Sequence, residues 1–159
     1  MKIYHSSSVK VIKPDTRHSR DFLDFGKGFY VTSIEEQAMK YAERLIRVGK
    51  EAVMNIYDLR DGWKANYKVK IFEAYDDEWL DFVAANRDGE KVEMFDAVEG
   101  GIADDKVFEA IDLNTANLID KGEALRRLKF ERPNHQICFL NQEIIDNYIS
   151  FEQCVMIRK

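Results

Sequence analysis

The chain has 159 residues, of which 45% are hydrophobic and 33% are charged, a composition typical of one folded soluble domain with a real core. It has two prolines, eight glycines and no run of about 18 apolar residues, which excludes a proline-rich or glycine-rich linker and a membrane-spanning helix. The formal net charge of −5 argues against a uniformly basic nucleic-acid-binding protein.

The first half of the chain predicts mainly strands and one clear helix. β-Branched, aromatic or alternating residues predict strands at residues 2–5, 9–13, 28–32, 53–59 and 67–73. The serines at 6–8 predict a turn, and residues 14–24 predict a polar loop. Ser33 and Glu36 form the pattern of a capping box, and the helix that follows is expected to end at Gly49.

The second half adds helices and two closing strands. Helices are expected at residues 76–86, 104–112, 123–130 and 142–148, and strands at residues 136–140 and 151–157. A short apolar piece at 94–98 lies between Gly89 and Gly100. Because strands lie at both ends with helices inserted, we predict a single α+β domain over residues 1–159 around a mixed or antiparallel sheet.

The charge is unevenly distributed. Residues 76–112 carry thirteen Asp or Glu against three basic residues, a local net charge of −10, which leaves +5 for the other residues. We therefore expect an acidic helical insertion around residues 76–130 that docks a basic partner or repels nucleic acid. The positive residues near the N-terminus, Arg17 and Arg20 among them, are either ordinary solvated charges or the holders of an anionic small molecule.

Several common site motifs are absent from the sequence. No P-loop pattern occurs, and the glycines at Gly26 and Gly28 lack the third glycine of a dinucleotide fingerprint. The three histidines have no zinc-ligand spacing, and the adjacent acids at 104–105 are more typical of a helix start than of a metal site. We therefore expect no metal.

The N-terminal residues and the cysteines suggest a location. Residues 1–5 lack the apolar stretch of a signal peptide, so we expect a cytoplasmic protein. Cys138 and Cys154 do not form a CxxC pair, and in that compartment they are expected to be reduced core thiols.

Polar and aromatic residues recur at the ends of predicted strands. The first strand ends at His5, Tyr30 lies in the GKGFY run, and Tyr41 follows it by eleven residues on the next helix, while Gln136 opens a late strand. This order resembles the ADP-ribosyltransferase superfamily in its poly(ADP-ribose) polymerase and diphtheria-toxin branch. That branch has a strand with His-Gly, a GKGxY strand followed by a helix with a second Tyr, and a late strand with Glu.

Nearly the whole chain is similar to a bacterial family of unknown function placed in that superfamily. The shared segments are DFGKGFY (24–30), a WLDFV-type helix (79–83), IADDKV (102–107) and PNHQICF (133–139). The resemblance implies an ADP-ribosyltransferase-like fold, with a split mixed or antiparallel sheet and inserted helices.

The resemblance also implies roles for individual residues. NAD would be the substrate, with His5 on the adenosine-side ribose and the backbone of Ser6 on the carboxamide of nicotinamide. Tyr30 and Tyr41 would sandwich the nicotinamide ring, since aromatic rings stack on flat heterocycles. Gln136 would reach the hydroxyls of the nicotinamide ribose, so the expected catalytic set is His5, Tyr30 and Gln136.

Two further groups complete the expected NAD site. Gly28 belongs to the GKG run, and Arg17 or Arg20 is expected to reach the pyrophosphate. Each of the site residues also has an ordinary structural interpretation, in which the histidine is a satisfied strand-end residue and the tyrosines are core aromatics.

Three departures from the family pattern bear on activity. Ser6 replaces Gly but leaves its backbone groups available, and Ala38 stands where the polymerases carry a Ser hydroxyl on the carboxamide. Gln136 replaces Glu and cannot carry negative charge.

The resemblance favours a mono-ADP-ribosyltransferase that acts on a macromolecular acceptor, a transferase of the glycosyl type. By the same resemblance it would be the toxin of a bacterial toxin–antitoxin pair with a small antitoxin protein as partner. Two alternatives remain open: a module that binds NAD or ADP-ribose without chemistry, and an interaction protein that docks a partner on its acidic segment.

Overall fold

Seven strands and five helices occur in the part of the chain that the structure, a computed structural model, describes: residues 1–102, 105–128 and 134–158. The strands are β1 (Lys2–Ser7), β2 (Phe29–Val31), β3 (Ala52–Leu59), β4 (Val69–Ile71), β5 (Ala97–Gly100), β6 (Gln136–Phe139) and β7 (Ile149–Ile157). The helices are α1 (Glu35–Arg47), α2 (Asp77–Arg87), α3 (Asp105–Thr115), α4 (Lys121–Leu128) and α5 (Gln142–Tyr148).

The strands form two sheets. Sheet A is antiparallel with the order β1-β3-β7, and sheet B has the order β2-β6-β5-β4, in which only the pair β4–β5 is parallel. A single backbone bridge joins the sheets: the N–H of Tyr4 donates to the carbonyl of Thr32 at 2.8 Å, and the N–H of Thr32 donates back at 3.0 Å. The molecule is one mixed α/β domain, as the order of predicted elements indicated.

Strand alternation sorts the core into two faces. The face that we call the α5 face carries Ile3, Phe29, Val31, Ile137 and Phe139, which pack with Ile144 and Ile145 of α5. On the opposite face, here called the α1 face, Tyr4 packs against Ala38 of α1, and Val98 and Cys138 pack against residues of α2, α3 and α4. Side chains of neighbouring residues on one strand therefore belong to different cores.

The predicted strand at residues 9–13 is wrong. The N–H of Val11 donates to Oδ1 of Asn55 at 2.9 Å, and the carbonyl of Val11 accepts from the Tyr57 hydroxyl at 2.6 Å. Asn55 also donates to the carbonyl of Val9 at 3.1 Å. Because side chains of β3 satisfy these backbone groups, the segment needs no partner strand.

The first helix ends as predicted but begins differently. Gly49 has a φ of +80° and donates its N–H to the carbonyl of Ile46 at 2.9 Å, which ends the helix. The predicted capping box is wrong, because Ile34 is the N-cap residue and no side chain caps the helix. The hydroxyl of Ser33 lies 3.2 Å from Nδ1 of His135 instead.

The remaining elements agree with the predictions within a few residues. The predicted strand at 67–73 is shortened to β4, and the apolar piece at 94–98 becomes the start of β5. Residues 103–104 and 129–133, with parts of the predicted helices and of the shared segments, lie outside the described residues.

Both cysteines are free, with Cys138 buried and Cys154 half-buried. None of the described helices is long and apolar enough to cross a membrane.

Basic residues from elsewhere in the chain lie beside the acidic segment 76–112. Their ammonium groups form ion pairs with acids of the segment, in the pairs Lys64–Glu99, Lys68–Glu93, Lys70–Glu78 and Lys121–Asp81. Asp96 instead accepts hydrogen bonds from the backbone N–H of Lys68 and the side chain of Asn141. The local charge of −10 is therefore partly compensated by residues that are distant in sequence.

Candidate functional site

The two sheets separate beyond the bridge at Tyr4 and Thr32, where Ser6 and Tyr30 would form the next hydrogen-bonded pair. Hydrogen-bonding direction alternates along a strand, so Ser6 directs its N–H and C=O toward β2, as Tyr4 does. The carbonyl oxygen of Tyr30 instead accepts a hydrogen bond from Nδ1 of His5 at 2.7 Å. Within the described chain, the backbone N–H and C=O of Ser6 are thus left facing the gap between the sheets.

The hydrogen bond to Tyr30 fixes the tautomer of His5. A carbonyl only accepts, so Nδ1 carries the proton and Nε2 of the neutral ring keeps a lone pair. Burial lowers the pKa of His5 below its usual 6.5, and the bond to the Tyr30 carbonyl opposes this only in part. The His5 ring packs on Phe29 at 4.7 Å between centroids, on the α5 face.

Tyr30 faces the other way, into the core beneath α2. Its hydroxyl donates to the carbonyl of Gly26 and accepts from the N–H of Phe25 at 3.1 Å. Burial raises the pKa of Tyr30 far above its ordinary value, so the phenol stays protonated. The tyrosine therefore orders the loop before β2, and its ring is only partly buried.

Gln136 lies on the same face as Tyr30, beside Cys138, which is the partner of Tyr30 in the sheet. The side chain is buried, and its Nε2 donates to the carbonyl of Gly101 at 3.3 Å and to Oδ2 of Asp24 at 3.4 Å. Asp24 is itself buried. The structure thus places a carboxylate beside the amide of Gln136.

Asp24 is a residue that the sequence analysis missed as a functional candidate. In the sequence it begins the DFGKGFY segment and ends a polar loop. An acid next to aromatic and glycine residues is the one local signal that could have marked it. Its carbonyl also accepts from Nδ2 of Asn86 at 3.0 Å, which ties the loop to α2.

Helix α1 borders the gap between the sheets. The hydroxyl of Ser6 donates to the carbonyl of Ala38 at 2.7 Å and so attaches β1 to this helix. Tyr41 lies one turn further along, with 49% of its surface exposed. Tyr30 and Tyr41 make no ring contact with each other in the described chain, and only Tyr41 offers a largely open ring.

The other expected NAD contacts lie around the loop that precedes β2. A Cβ at Gly28 would lie 2.6 Å from both Sγ of Cys138 and the carbonyl oxygen of Phe139, so close packing of β2 on β6 requires glycine here. Its N–H donates to Oγ of Ser19 at 3.1 Å. Arg17 and Arg20 flank Ser19 in the loop, and both are exposed.

The structure therefore brings some of the expected site residues together and separates others. The backbones of His5, Ser6 and Tyr30 meet at the junction of the sheets, and Tyr30 and Gln136 share the α1 face. The His5 ring lies on the opposite face. In the described chain, no three His, Cys, Asp or Glu side chains are grouped as metal ligands.

These features define a mixed α/β domain with two sheets joined at Tyr4 and Thr32 and a buried amide and carboxylate, Gln136 and Asp24, in contact. A comparison with protein-family models matches residues 1–151 to the family described as "Protein of unknown function (DUF3990)", and the chain belongs to that family. Comparisons with curated proteins and with solved structures found no match.

Proposed function

We propose that the chain is an NAD-dependent mono-ADP-ribosyltransferase whose substrate binds in the gap between the two sheets. The observation that carries the proposal is the opened backbone of Ser6. An N–H donor and a C=O acceptor side by side on one strand match the C=O and NH₂ of a carboxamide, which needs both at once. His5 creates this edge by taking the carbonyl of Tyr30 out of the ladder.

The aromatic and cationic residues around the gap support the same ligand. The exposed ring of Tyr41 is available to stack on nicotinamide, whereas Tyr30 contributes its backbone carbonyl, which binds His5. Arg17 and Arg20 are exposed beside the GKG loop and are free to turn toward a pyrophosphate. In this proposal Gly28 contributes by close packing, since its N–H is already bonded to Ser19.

The chemistry requires little covalent participation by the protein. The bond between nicotinamide and ribose C1′ breaks, nicotinamide leaves with the electron pair, and a nucleophile of the acceptor attacks C1′ and loses its proton. The developing positive charge on the ribose needs a negative group nearby. Asp24 supplies that charge next to Gln136, and the Gln136 amide orients the ribose hydroxyls.

The glutamine also implies a single transfer. Elongation of a chain requires activation of a ribose hydroxyl by a base, and a carboxamide is not a base at pH 7. We therefore expect one ADP-ribose for each modified site. Ladders of repeated units on mass spectrometry of the modified acceptor would contradict this.

The test is release of nicotinamide from labelled NAD by the full chain, followed by mass spectrometry of the modified acceptor. Gln136→Ala should lower turnover about ten- to a hundred-fold, because a hydrogen bond worth about 1.5–3 kcal/mol is lost in the transition state. Gln153→Ala, an exposed glutamine on β7, is the matched control and should not change turnover. Full activity of Gln136→Ala would remove Gln136 from the site.

A second candidate function is favoured by the same amide. Gln136 in place of a carboxylate suits a module that binds NAD or ADP-ribose without cleaving it. Such a module would be stabilised by NAD by about 2.7 kcal/mol at a hundred times the dissociation constant while releasing no nicotinamide. If the chain shows neither release nor stabilisation, both candidates fail.

A further inference from the structure

Ser33, His135 and Glu99 form a hydrogen-bonded chain at one end of sheet B. The pairing of β2 with β6 ends at Val31 and Ile137, and Ser33 and His135 lie two residues beyond this pair. Oγ of Ser33 lies 3.2 Å from Nδ1 of His135, and Nε2 of His135 lies 2.7 Å from Oε1 of Glu99. The three residues thus form a serine–histidine–carboxylate arrangement.

The direction of the protons follows from the acceptors. Nζ of Lys64 lies 2.8 Å from the second carboxylate oxygen of Glu99. The hydrogen bond from His135 and the ammonium group of Lys64 lower the pKa of Glu99 to about 2, so its carboxylate is ionised at neutral pH. An ionised carboxylate only accepts, so Nε2 of His135 carries the proton and Nδ1 accepts from the Ser33 hydroxyl.

Burial increases from the serine to the carboxylate. Ser33 is exposed, whereas the side chains of His135 and Glu99 are only 24% and 19% exposed. The side chain of Gln37 binds both backbone groups of His135: it accepts from the N–H at 3.0 Å and donates to the carbonyl at 2.7 Å. The histidine is therefore fixed, and the serine is open to a ligand.

The hydroxyl of Ser33 binds His135 and does not cap α1. Serine close to a helix start commonly caps the first turn, yet α1 has no side-chain cap. The first N–H groups of this 13-residue helix, those of Glu35 and Glu36, have no intrahelical acceptor because of helix geometry. They lie two and three residues beyond Ser33, at the positive end of the helix dipole, where an oxyanion is stabilised.

This group is separate from the gap between the sheets. Ser33, His135 and Glu99 continue the face of Val31, Ile137 and Ala97, which is the α5 face. Gln136 and Tyr30 lie on the α1 face, so the two sites do not share a side chain.

We propose that Ser33 is the nucleophile of a second site, which hydrolyses small carboxylic esters. Oγ of Ser33 adds to the ester carbonyl and its proton passes to Nδ1 of His135. The tetrahedral intermediate then expels the alkoxide, which takes that proton and leaves as the alcohol. Water repeats the same two steps on the acyl-serine and releases the acid, with Glu99 as a positioning residue for His135. Small esters fit a serine that stands on the surface.

The test uses the full chain, a fluorophosphonate probe and 4-nitrophenyl acetate. Peptide mapping should place the phosphonyl adduct on Ser33, and the chain should release nitrophenol from the acetate. Ser33→Ala should abolish both signals, and Ser8→Ala, another exposed serine, should leave both unchanged. Labelling at other residues with none on Ser33 would overturn the proposal.

The histidine and the carboxylate are tested separately. His135→Gln should slow labelling of Ser33 at least a hundred-fold, and Glu99→Gln should slow it about ten-fold. Thermal unfolding of each variant checks that it is folded. If His135→Gln or Glu99→Gln does not fold, Ser33→Ala still tests the proposal, because Ser33 is exposed and its substitution should not affect folding. Equal labelling rates in folded His135→Gln and the unmodified chain would show an ordinary surface serine. Nicotinamide release is measured in parallel, so failure of this site is distinguished from failure of the NAD site.

Discussion

One hydrogen bond of His5, from Nδ1 to the Tyr30 carbonyl, affects how far β1 and β2 pair. Without its bond to the Tyr30 carbonyl, β1 and β2 would be free to continue pairing beyond Tyr4 and Thr32. In the neutral ring the proton lies on Nδ1, and burial favours this neutral form by lowering the pKa of His5.

His5 should make the fold less stable as the pH falls below about 6.5. The pKa of His5 is lower in the folded chain than its ordinary 6.5, so the unfolded chain binds more protons in this range. Its contribution is fully present above pH 6.5 and is lost as the pH falls toward the folded value, with a slope of at most about 1.4 kcal/mol per pH unit. Urea unfolding at pH 5.0, 6.0 and 7.5 measures it.

His5→Asn is the variant for this measurement. It keeps a neutral N–H donor near the position of Nδ1 and does not titrate, so its pH dependence should be weaker. His18→Asn is the matched control, because the side chain of His18 is 88% exposed. Equal pH slopes in His5→Asn and the unmodified chain would show that His5 is not the titrating group.

Gly28→Ala should destabilise the fold. The added Cβ would meet Sγ of Cys138 and the carbonyl oxygen of Phe139 at 2.6 Å, and a backbone oxygen in a central strand cannot move away cheaply. Overpacking of this kind costs about 1–3 kcal/mol, measured as a lower urea midpoint. Gly122→Ala in α4 is the control and should be neutral or stabilising, since its Cβ would approach only a carboxylate oxygen of Asp120, at 3.3 Å. A similar midpoint for both variants would contradict the packing role.

Asp24→Asn should show whether the negative charge of Asp24, and not the size of its side chain, matters at the proposed NAD site. The substitution keeps the size of the side chain but removes the negative charge beside Gln136. If the carboxylate stabilises the cationic ribose, kcat for nicotinamide release should fall about a hundred-fold, while KM for NAD changes little. A change confined to KM would mean that Asp24 contributes only to binding, and a fall in Tm alone would indicate a structural role.

At the scale of elements, the side chain of Gln37 attaches α1 to sheet B by two hydrogen bonds to the backbone of His135. Gln37 bonds both backbone groups of His135, as a neighbouring residue in a ladder would. The Ser6 hydroxyl attaches the same helix to β1 through the carbonyl of Ala38. The helix is thus hydrogen-bonded both to β1 of sheet A and to the residue that precedes β6 of sheet B.

Gln37→Ala should weaken this attachment. Two hydrogen bonds are lost, one of them from a partly buried backbone N–H, so the free energy of unfolding should fall by about 1–3 kcal/mol. Hydrogen exchange at the amide of His135 should become faster, while exchange in β3 should follow global stability only. Gln153→Ala on the exposed side of β7 serves as the control. Unchanged exchange at His135 would argue against the attachment.

Local patterns predicted most elements, and long-range contacts explain the exceptions. The helix stop at Gly49 and the start of α2 next to Asp76 depend on neighbouring residues, so the sequence pattern sufficed. The start of α1 did not follow its pattern, because His135, which is 102 residues away, takes the Ser33 hydroxyl. The same reason kept part of the candidate site hidden, since Asp24 and Gln136 are 112 residues apart and nothing in either segment reveals the contact.

For the whole molecule, the distribution of charge in sequence differs from that in space. The segment 76–112 has a net charge of −10, yet acids within it pair with Lys64, Lys68, Lys70 and Lys121 from other segments. Self-repulsion of clustered acids was the physical reason to expect a basic partner at this surface. With these pairs in place that reason is weaker, and the interaction-protein alternative loses part of its support.

Added salt should change the free energy of unfolding in opposite directions if repulsion among the acids dominates this surface and if pairing with lysines dominates it. If repulsion among the acids dominated, screening by salt would stabilise the fold. Because Glu78, Asp81, Glu93 and Glu99 are paired with lysines, we expect the free energy of unfolding to fall slightly between about 0.1 and 1 M NaCl, where the Debye length drops from about 10 Å to about 3 Å. Each exposed pair contributes about 0.2–1 kcal/mol, so the total effect should be small but measurable by urea unfolding at several salt concentrations.

The double variant Lys68→Gln with Lys70→Gln should reverse that sign. It leaves Glu93 and Glu78 without their ammonium partners, so repulsion dominates at low salt and added NaCl should stabilise the variant. Lys13→Gln with Lys50→Gln changes the net charge equally at exposed positions outside the segment and should keep the sign of the unmodified chain. If the unmodified chain is itself stabilised by salt, repulsion exceeds pairing at this surface. The expectation of a basic partner, which rests on that repulsion, would then regain its physical basis.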